Sequence, residues 1–227
     1  MYLTGHRWDG ETMKTIELKY PHTFKEDELP ETVAAIGFFD GIHRGHQHVI
    51  KAAVKTAQAQ QLESAVITFH PHPSVVLNPK GKKVKNITPF VEKQAMIQQL
   101  GVDRLYIITF DHTLSQLLPE EFIEHFIVGL HIRHLIAGFD FTFGHKGRGS
   151  MENIASYTKG RLKTTTIDKV EADDQKISST RIRSLIRSGQ IEQANLLLGR
   201  PYRMRGKVVK GAQRGRKIGY PTANLQL

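Results

Sequence analysis

Hydrophobic and polar positions follow two alternating periods along this chain. Thr32–Phe38 (TVAAIGF), Ser64–Phe69 (SAVITF), Asp103–Phe110 (DRLYIITF) and His134–Phe139 (HLIAGF) are short apolar runs bounded by polar or turn residues. Such runs predict strands buried on both faces. Between them, apolar residues recur at helical spacing. Val49, Ile50, Ala53, Val54 and Ala57 predict a helix over 46–62. ITPFVEKQAMIQQLG predicts a second, with Thr88 as cap, Pro89 at the first position and Gly101 after the last turn. LPEEFIEHFIVGL predicts a third, with Phe122, Ile123, Phe126 and Ile127 on its apolar face. A helix near 151–158, a strand near 164–170 and two short helices stopped by Gly189 and Gly199 complete the pattern. This alternation predicts an α/β fold with a mostly parallel sheet covered on both faces.

The pattern changes after Gly199. YRMRGKVVKGAQRGRKIGYPTANLQL has no helical period and four glycines, and reads as the opening of a β domain. A segment this short buries no core of its own. The expected division is therefore residues 1–12 as a motif-free extension, 13–199 as the main domain and 200–227 as a fragment of a second. Met13 opens MKTIELKYPH, which reads as a natural start.

Composition narrows the function classes. No apolar run approaches the roughly eighteen residues that a membrane span requires, and the first twenty residues have no secretory core. Cysteine is absent, which excludes disulfides and thiolate metal sites. A cytoplasmic protein is the expectation. The net charge is +10, but Arg200, Arg203, Arg205, Lys207, Lys210, Arg214, Arg216 and Lys217 lie in the last segment with no acid beside them. The first 199 residues hold 24 bases against 22 acids. Nucleic-acid binding calls for a basic face spread over a folded module, so neither nucleic acid nor a membrane is an expected partner.

In open α/β sheets ligands bind beyond the carboxyl ends of the strands. The polar loops 39–48, 70–78 and 140–150 fall at such ends, and ISSTRIR follows the last strand. GFFDGIHRGHQHVI admits three readings: a metal site, a phosphate cradle, or surface histidines. The start of a helix near Gly45 favours an anion. Gly41 and Gly45 let backbone approach a ligand. His43 and His46, three apart, lie on one side of the first turn. Histidine near neutral pH donates to a phosphate oxygen without a permanent charge. The phosphate reading is preferred. Zinc would need His70 and His72 of FHPHP as further ligands, but the prolines there read as holding a turn. Ser178, Ser179 and Thr180 are candidate caps for a helix that presents Arg183 one turn in. No Walker lysine motif is present, and no G-x-G-x-x-G follows the first strand.

GFFDGIHRGHQ, FHPHPSVVL, GFDFTFG and KISSTRIR, in that order, resemble the FMN adenylyltransferase module of bacterial bifunctional riboflavin kinase/FAD synthetases. VVKGAQRGRKIGYPTANL resembles the opening of the riboflavin kinase module of the same enzymes. The resemblance implies a Rossmann-like nucleotidyltransferase domain followed by the start of a β-barrel kinase domain. It also implies transfer of AMP from ATP to FMN, giving FAD and pyrophosphate, with Mg²⁺ accompanying ATP. It casts His43, His46 and Arg183 as catalytic, with Arg183 clamping pyrophosphate. Gly37, Phe38, Phe39, Gly45, Gly138, Asp140, Ser178, Ser179 and Thr180 would meet ATP, and Pro71, Pro73, Leu77, Phe122 and Phe143 the flavin. Family members often carry Asn where this chain has Asp140. Thr222 and Asn224 match kinase positions that meet Mg²⁺ and ATP, but the kinase's catalytic acid lies further downstream, so riboflavin phosphorylation is not expected here. Two other readings stand beside this one: an H-x-G-H transferase with pantetheine phosphate or nicotinamide mononucleotide as acceptor, and a non-catalytic basic module binding RNA.

Overall fold

The computed structural model describes residues 13–25, 28–78, 84–172, 175–212, 214–220 and 222–226. Residues 1–12, expected to be an extension, lie outside these. In chain order the first elements are strand β1 (Lys14–Leu18), β2 (Thr32–Ile36), helix α1 (Arg44–Gln60), β3 (Glu63–His70), α2 (Pro73–Leu77), α3 (Phe90–Gln99) and β4 (Arg104–Thr109). They are followed by α4 (His112–Ser115), α5 (Pro119–Ile123) with a π-turn (Glu124–Val128), β5 (Ile132–Gly138), the short strands β6 (Thr142–Phe143) and β7 (Gly149–Ser150), and α6 (Ile154–Thr158). The rest are β8 (Lys163–Ile167), β9 (Glu171–Ala172), β10 (Gln175–Lys176), α7 (Ser179–Arg187), α8 (Ile191–Leu198), β11 (Lys207–Val209), α9 (Arg214–Lys217) and β12 (Asn224–Gln226).

Six strands form one sheet in the order β1-β4-β3-β2-β5-β8, and every pairing within it is parallel. Alternate residues of each strand serve opposite layers, as the two-residue period requires. Ala34, Ile36, Ala65, Ile67, Tyr106 and Ile108 face a layer built on Phe122, Ile123, Phe126, Ile127 and Ile154. Val33, Ala35, Val66, Leu105 and Ile107 face α1 and α3 through Ile50, Ala53, Ala57 and Ile97. A smaller cluster joins α7 and α8 to Ile87, with Tyr202 packed against it.

The sheet order sets the position of the site. From β2 the chain steps outward through β3 and β4, then returns to place β5 on the other side of β2. The strand order reverses between β2 and β5, the place where an open parallel sheet leaves a crevice. The loops after β2 and β5 flank it.

Three expectations on local structure needed adjustment. The third helix is not uniform: Gly129 donates to the Glu124 carbonyl at 2.8 Å, closing a π-turn that lets Phe122, Ile123, Phe126 and Ile127 all face inward. The α3 cap is Pro89 rather than Thr88; the Thr88 hydroxyl instead accepts from the Arg200 guanidinium at 3.0 Å. Strand β1 was not anticipated. It is a half-buried edge strand, and KTIEL offers too few apolar residues to stand out.

Candidate active site

Helix α1 begins on an unusual cap. The Nδ1 of His43 accepts the backbone N–H of His46 at 3.2 Å, work usually done by a hydroxyl or carboxylate. With Nδ1 an acceptor, the ring proton of neutral His43 sits on Nε2. The His46 ring stacks on His43 with centroids 3.6 Å apart and meets Phe39 edge-on. Its Nδ1 is buried with no partner, which favours placing its proton on Nε2 as well. A side chain at Gly45 would press the His43 ring at 3.2 Å, so this position is a glycine for space.

Burial takes the charge from both rings. His43 is 5% exposed, and desolvation lowers its pKa to about 4, against an opposing pull from Asp140. Desolvation holds His46 well below the ordinary histidine range, and the neighbouring His43 adds to the effect. Near neutral pH the two imidazoles are uncharged N–H donors. They are not surface histidines.

A cleft of about 940 Å³ opens above them, at the upper end for small-molecule sites. Its polar part includes Gly37, Phe38, Phe39, His43, Gly45, His46, Gly138, Asp140, Ser178, Ser179 and Thr180. The start of α7 adds a second set of first-turn N–H groups: Ser178 Oγ accepts from Arg181 N at 3.2 Å, and Ser179 Oγ donates to the Asp40 carbonyl at 2.9 Å. The apolar part includes Pro73, Leu77, Phe122 and Phe143. Phe69, Phe122 and Phe143 form a run of tilted rings about 6 Å apart. A Cβ on Gly149 would lie 2.4 Å from the Phe143 ring, so only glycine allows that ring its place.

Most residues to which the resemblance gives a role meet here, but four of those do not line the cleft. Pro71 lies in the turn after β3, outside the lining. Thr222 and Asn224 belong to the terminal segment, where Asn224 pairs with Val209 across β11 and β12. Arg183 turns away from the cleft: its guanidinium donates to Asp40 at 2.6 Å and to the Lys85 carbonyl at 3.0 Å. The physical reason is Asp40, a carboxylate 4% exposed that also takes the Ile87 N–H at 2.9 Å. A buried carboxylate needs such a partner.

Several residues were missed. Asp40, inside GFFDGIHRGHQ, carries no role in the sequence reading. Lys93 is 5% exposed and donates to the Phe38 carbonyl at 3.2 Å and to Thr68 Oγ1 at 3.0 Å. Burial draws its pKa down to about 8, against the opposing charge of Asp40. The available signal was a lysine on the apolar stripe of α3, four residues before Ile97. Phe69, Phe110, Leu114 and Phe141 add to the cleft walls. Lys176, also in the lining, pairs with Asp140; it opens KISSTRIR but received no role there.

The FAD synthetase family model matches residues 25–181, which includes the cleft loops and the start of α7. The chain belongs to the FAD synthetase family. It carries an FMN adenylyltransferase domain, and a riboflavin kinase match is confined to residues 198–227. Two bifunctional riboflavin kinase/FMN adenylyltransferases, from Listeria monocytogenes and Bacillus subtilis, are 47% and 44% identical over 215 residues. In each case the match spans 95% of this chain and 68% of the relative. A crystal structure of a Streptococcus pneumoniae protein, described as a macrolide-efflux protein, superposes with a TM-score of 0.79 at 34% identity. That match covers 93% of this chain and 68% of the other. Among the described residues of this FAD synthetase family member, no helix is long and apolar enough to cross a membrane.

Proposed function

We propose that the cleft transfers AMP from ATP to the phosphate of FMN, with the triphosphate at the starts of α1 and α7 and the flavin ring in the apolar part. The observation that carries this reading is the stacked pair of neutral imidazoles, whose Nδ1 atoms are used or buried and whose Nε2 atoms remain as donors. An FMN phosphate oxygen attacks the α-phosphorus of ATP. The new O–P bond forms as the bond to the bridging oxygen breaks, and pyrophosphate leaves with that electron pair. The nucleophile is already an anion, so no base or covalent intermediate is needed. The protein aligns two anions and neutralises developing charge.

His43 and His46 donate to phosphate oxygens, helped by the first-turn N–H groups of α1 and of the helix that Ser178 caps. Gly37, Phe38, Phe39, Gly138 and Asp140 border the nucleotide. Pro73, Leu77, Phe122 and Phe143 border the flavin, with Pro71 shaping the turn that carries Pro73. Arg183 acts from behind the loop, by fixing Asp40. Magnesium enters with the ATP phosphates. Among the described residues no three His, Cys, Asp or Glu side chains are grouped to hold a metal, so the protein's share falls to the cleft carboxylates Asp140 and Asp168, oxygen donors suited to a hard cation. Once bound, that cation would offset phosphate charge.

The unit responsible spans residues 13–199, with 200–227 as the opening of a kinase unit, and a cytoplasmic location fits ATP as donor. Nucleic acid is not proposed as a partner, because the basic excess of 200–227 is separate in sequence from the near-neutral remainder. Incubation with ATP, Mg²⁺ and a panel of mononucleotides, read by mass spectrometry, tests the reading. FAD and pyrophosphate should form from FMN, and far less product from nicotinamide mononucleotide or pantetheine phosphate. A folded sample that makes no FAD, or that prefers another acceptor, removes it.

A further inference from the structure

Lys93 is buried and lies outside the cleft lining, so its ammonium meets no substrate. It sits behind the first loop of the cleft. Gly37, just past β2, still bonds to β3, donating to the Ile67 carbonyl at 3.1 Å. The carbonyl of Phe38 is instead held by two side chains, Lys93 Nζ and Thr68 Oγ1, each at 3.2 Å. Lys93 also donates to the Thr68 hydroxyl at 3.0 Å, which leaves that hydroxyl's proton for the carbonyl. The ammonium lies 5.3 Å from the centres of the Phe38 and Phe90 rings, within reach of their faces.

The backbone that follows is strained. Phe39 has a φ of 50° and Ile42 a φ of 40°, left-handed values that bulky and β-branched residues rarely adopt. Such a conformation persists only where its surroundings fix it. After Phe39 the fixed point is Asp40, bound by the Ile87 N–H and the Arg183 guanidinium. Before it, the fixed point is the Phe38 carbonyl. The Phe39 ring is wedged between: a Cβ on Gly37 would lie 3.0 Å from it. Its other contact is the His46 ring, met edge-on with centroids 5.3 Å apart.

We propose that Lys93 is a positioning residue for AMP transfer: it clamps the Phe38 carbonyl, keeps Phe39 in its left-handed turn and so sets the His46 ring. The inference rests on the role given to His46 above. A buried ammonium is a poor device for stability alone, because an apolar side chain of similar volume often serves as well or better. The carbonyl it holds accounts for its place on the apolar stripe of α3. Its charge acts in the same direction: after burial and the neighbouring His43, it is the next influence that keeps His46 an uncharged donor.

The test is steady-state FAD formation by the full chain, with melting curves to fix a temperature at which every variant is folded. Lys93→Met should lower kcat by about 10- to 100-fold, the loss of a hydrogen bond from a charged group. The KM for FMN should stay within about twofold, since the effect is on the transition state. In a His46→Ala chain the same substitution should cost less than about threefold more, because residues that act as one unit are not additive. A lysine that only stabilised the fold would cost the same in both chains. Thr68→Val weakens the same clamp and should cost about 3- to 10-fold, with the same non-additivity; it decides the matter if Lys93→Met does not fold. Full additivity with His46→Ala overturns the proposal, as does a kcat for Lys93→Met within about threefold of wild type. If His46→Ala alone leaves FAD formation intact, the reading of the cleft fails and this inference with it. If His46 matters and Lys93 acts independently of it, only this inference fails.

Discussion

Two helices open onto the cleft, and they start in different ways. Helix α7 has an ordinary beginning: Ser178 accepts from Arg181 N, and the arginine one turn in is tied to a buried acid. Helix α1 begins on a histidine that spends half its ring on the cap and stacks the other face on a second histidine. The serine cap stabilises its helix while its own O–H stays free to turn, so it fixes no donor direction toward the cleft. The histidine cap fixes the tautomer and orientation of a group that faces the ligand. Both starts face the cleft, but only the histidine cap holds its donor in a fixed direction.

The largest effect should come from the α7 side, and in stability. Arg183→Met would leave Asp40 buried without its counter-charge, which costs about 3–5 kcal/mol. Denaturant titration should show this, and Asp40→Asn in the same chain should restore most of it. If Arg183→Met unfolds normally but raises the KM for ATP, the arginine leaves Asp40 to reach substrate and the contrast between the helices narrows. On the α1 side the effect should appear in rate. His43→Ala or His46→Ala should lower turnover roughly 100- to 1000-fold, as loss of a charge-stabilising donor does, with FMN binding little changed. Losses of tenfold or less in both variants would place the two helix starts on the same footing.

Acid should separate them more finely. The pKa of His43 is lower in the fold, about 4, than in the unfolded chain, where it is about 6.5. Its contribution to stability is therefore complete above about 6.5 and lost as pH falls towards 4. A His43→Gln variant should show a shallower decline in stability over that window. Ser178→Ala should cost about 1 kcal/mol at every pH, since a hydroxyl does not titrate. Parallel losses for the two variants across the window would mean that His43 already carries charge in the fold.

The fold was largely legible because its inner strands are continuous apolar runs. TVAAI, SAVITF and RLYIIT can be satisfied only by burial on both faces. What escaped is polar and context-dependent. KTIEL is an edge strand with one buried face. The π-turn needs Gly129 to meet carbonyls that only the folded helix brings together, since a Cβ there would lie 2.7 Å from the His125 oxygen. In the site, the H-x-G-H spacing and the ISST cap were visible because they are local. Arg183 was expected at the pyrophosphate, whereas the ion pair it makes here is with Asp40, 143 residues away, and Lys176 pairs with Asp140, 36 residues away. Spacing along a chain locates helix starts; it does not pair charges across a sheet.

The sheet order also bears on how the protein is made. Among the described residues strand β1 pairs only with β4, and 85 residues separate Leu18 from Arg104. At roughly 5–20 residues per second of synthesis, β1 waits roughly 4–17 s for its partner. Throughout that interval KTIEL is a strand without a sheet. Its lysine and glutamate, both exposed in the fold, keep it soluble while it waits, as charged edge strands generally are. The same polar residues that hid β1 from the sequence are thus what lets a strand made before β2 and β3 join the sheet after both.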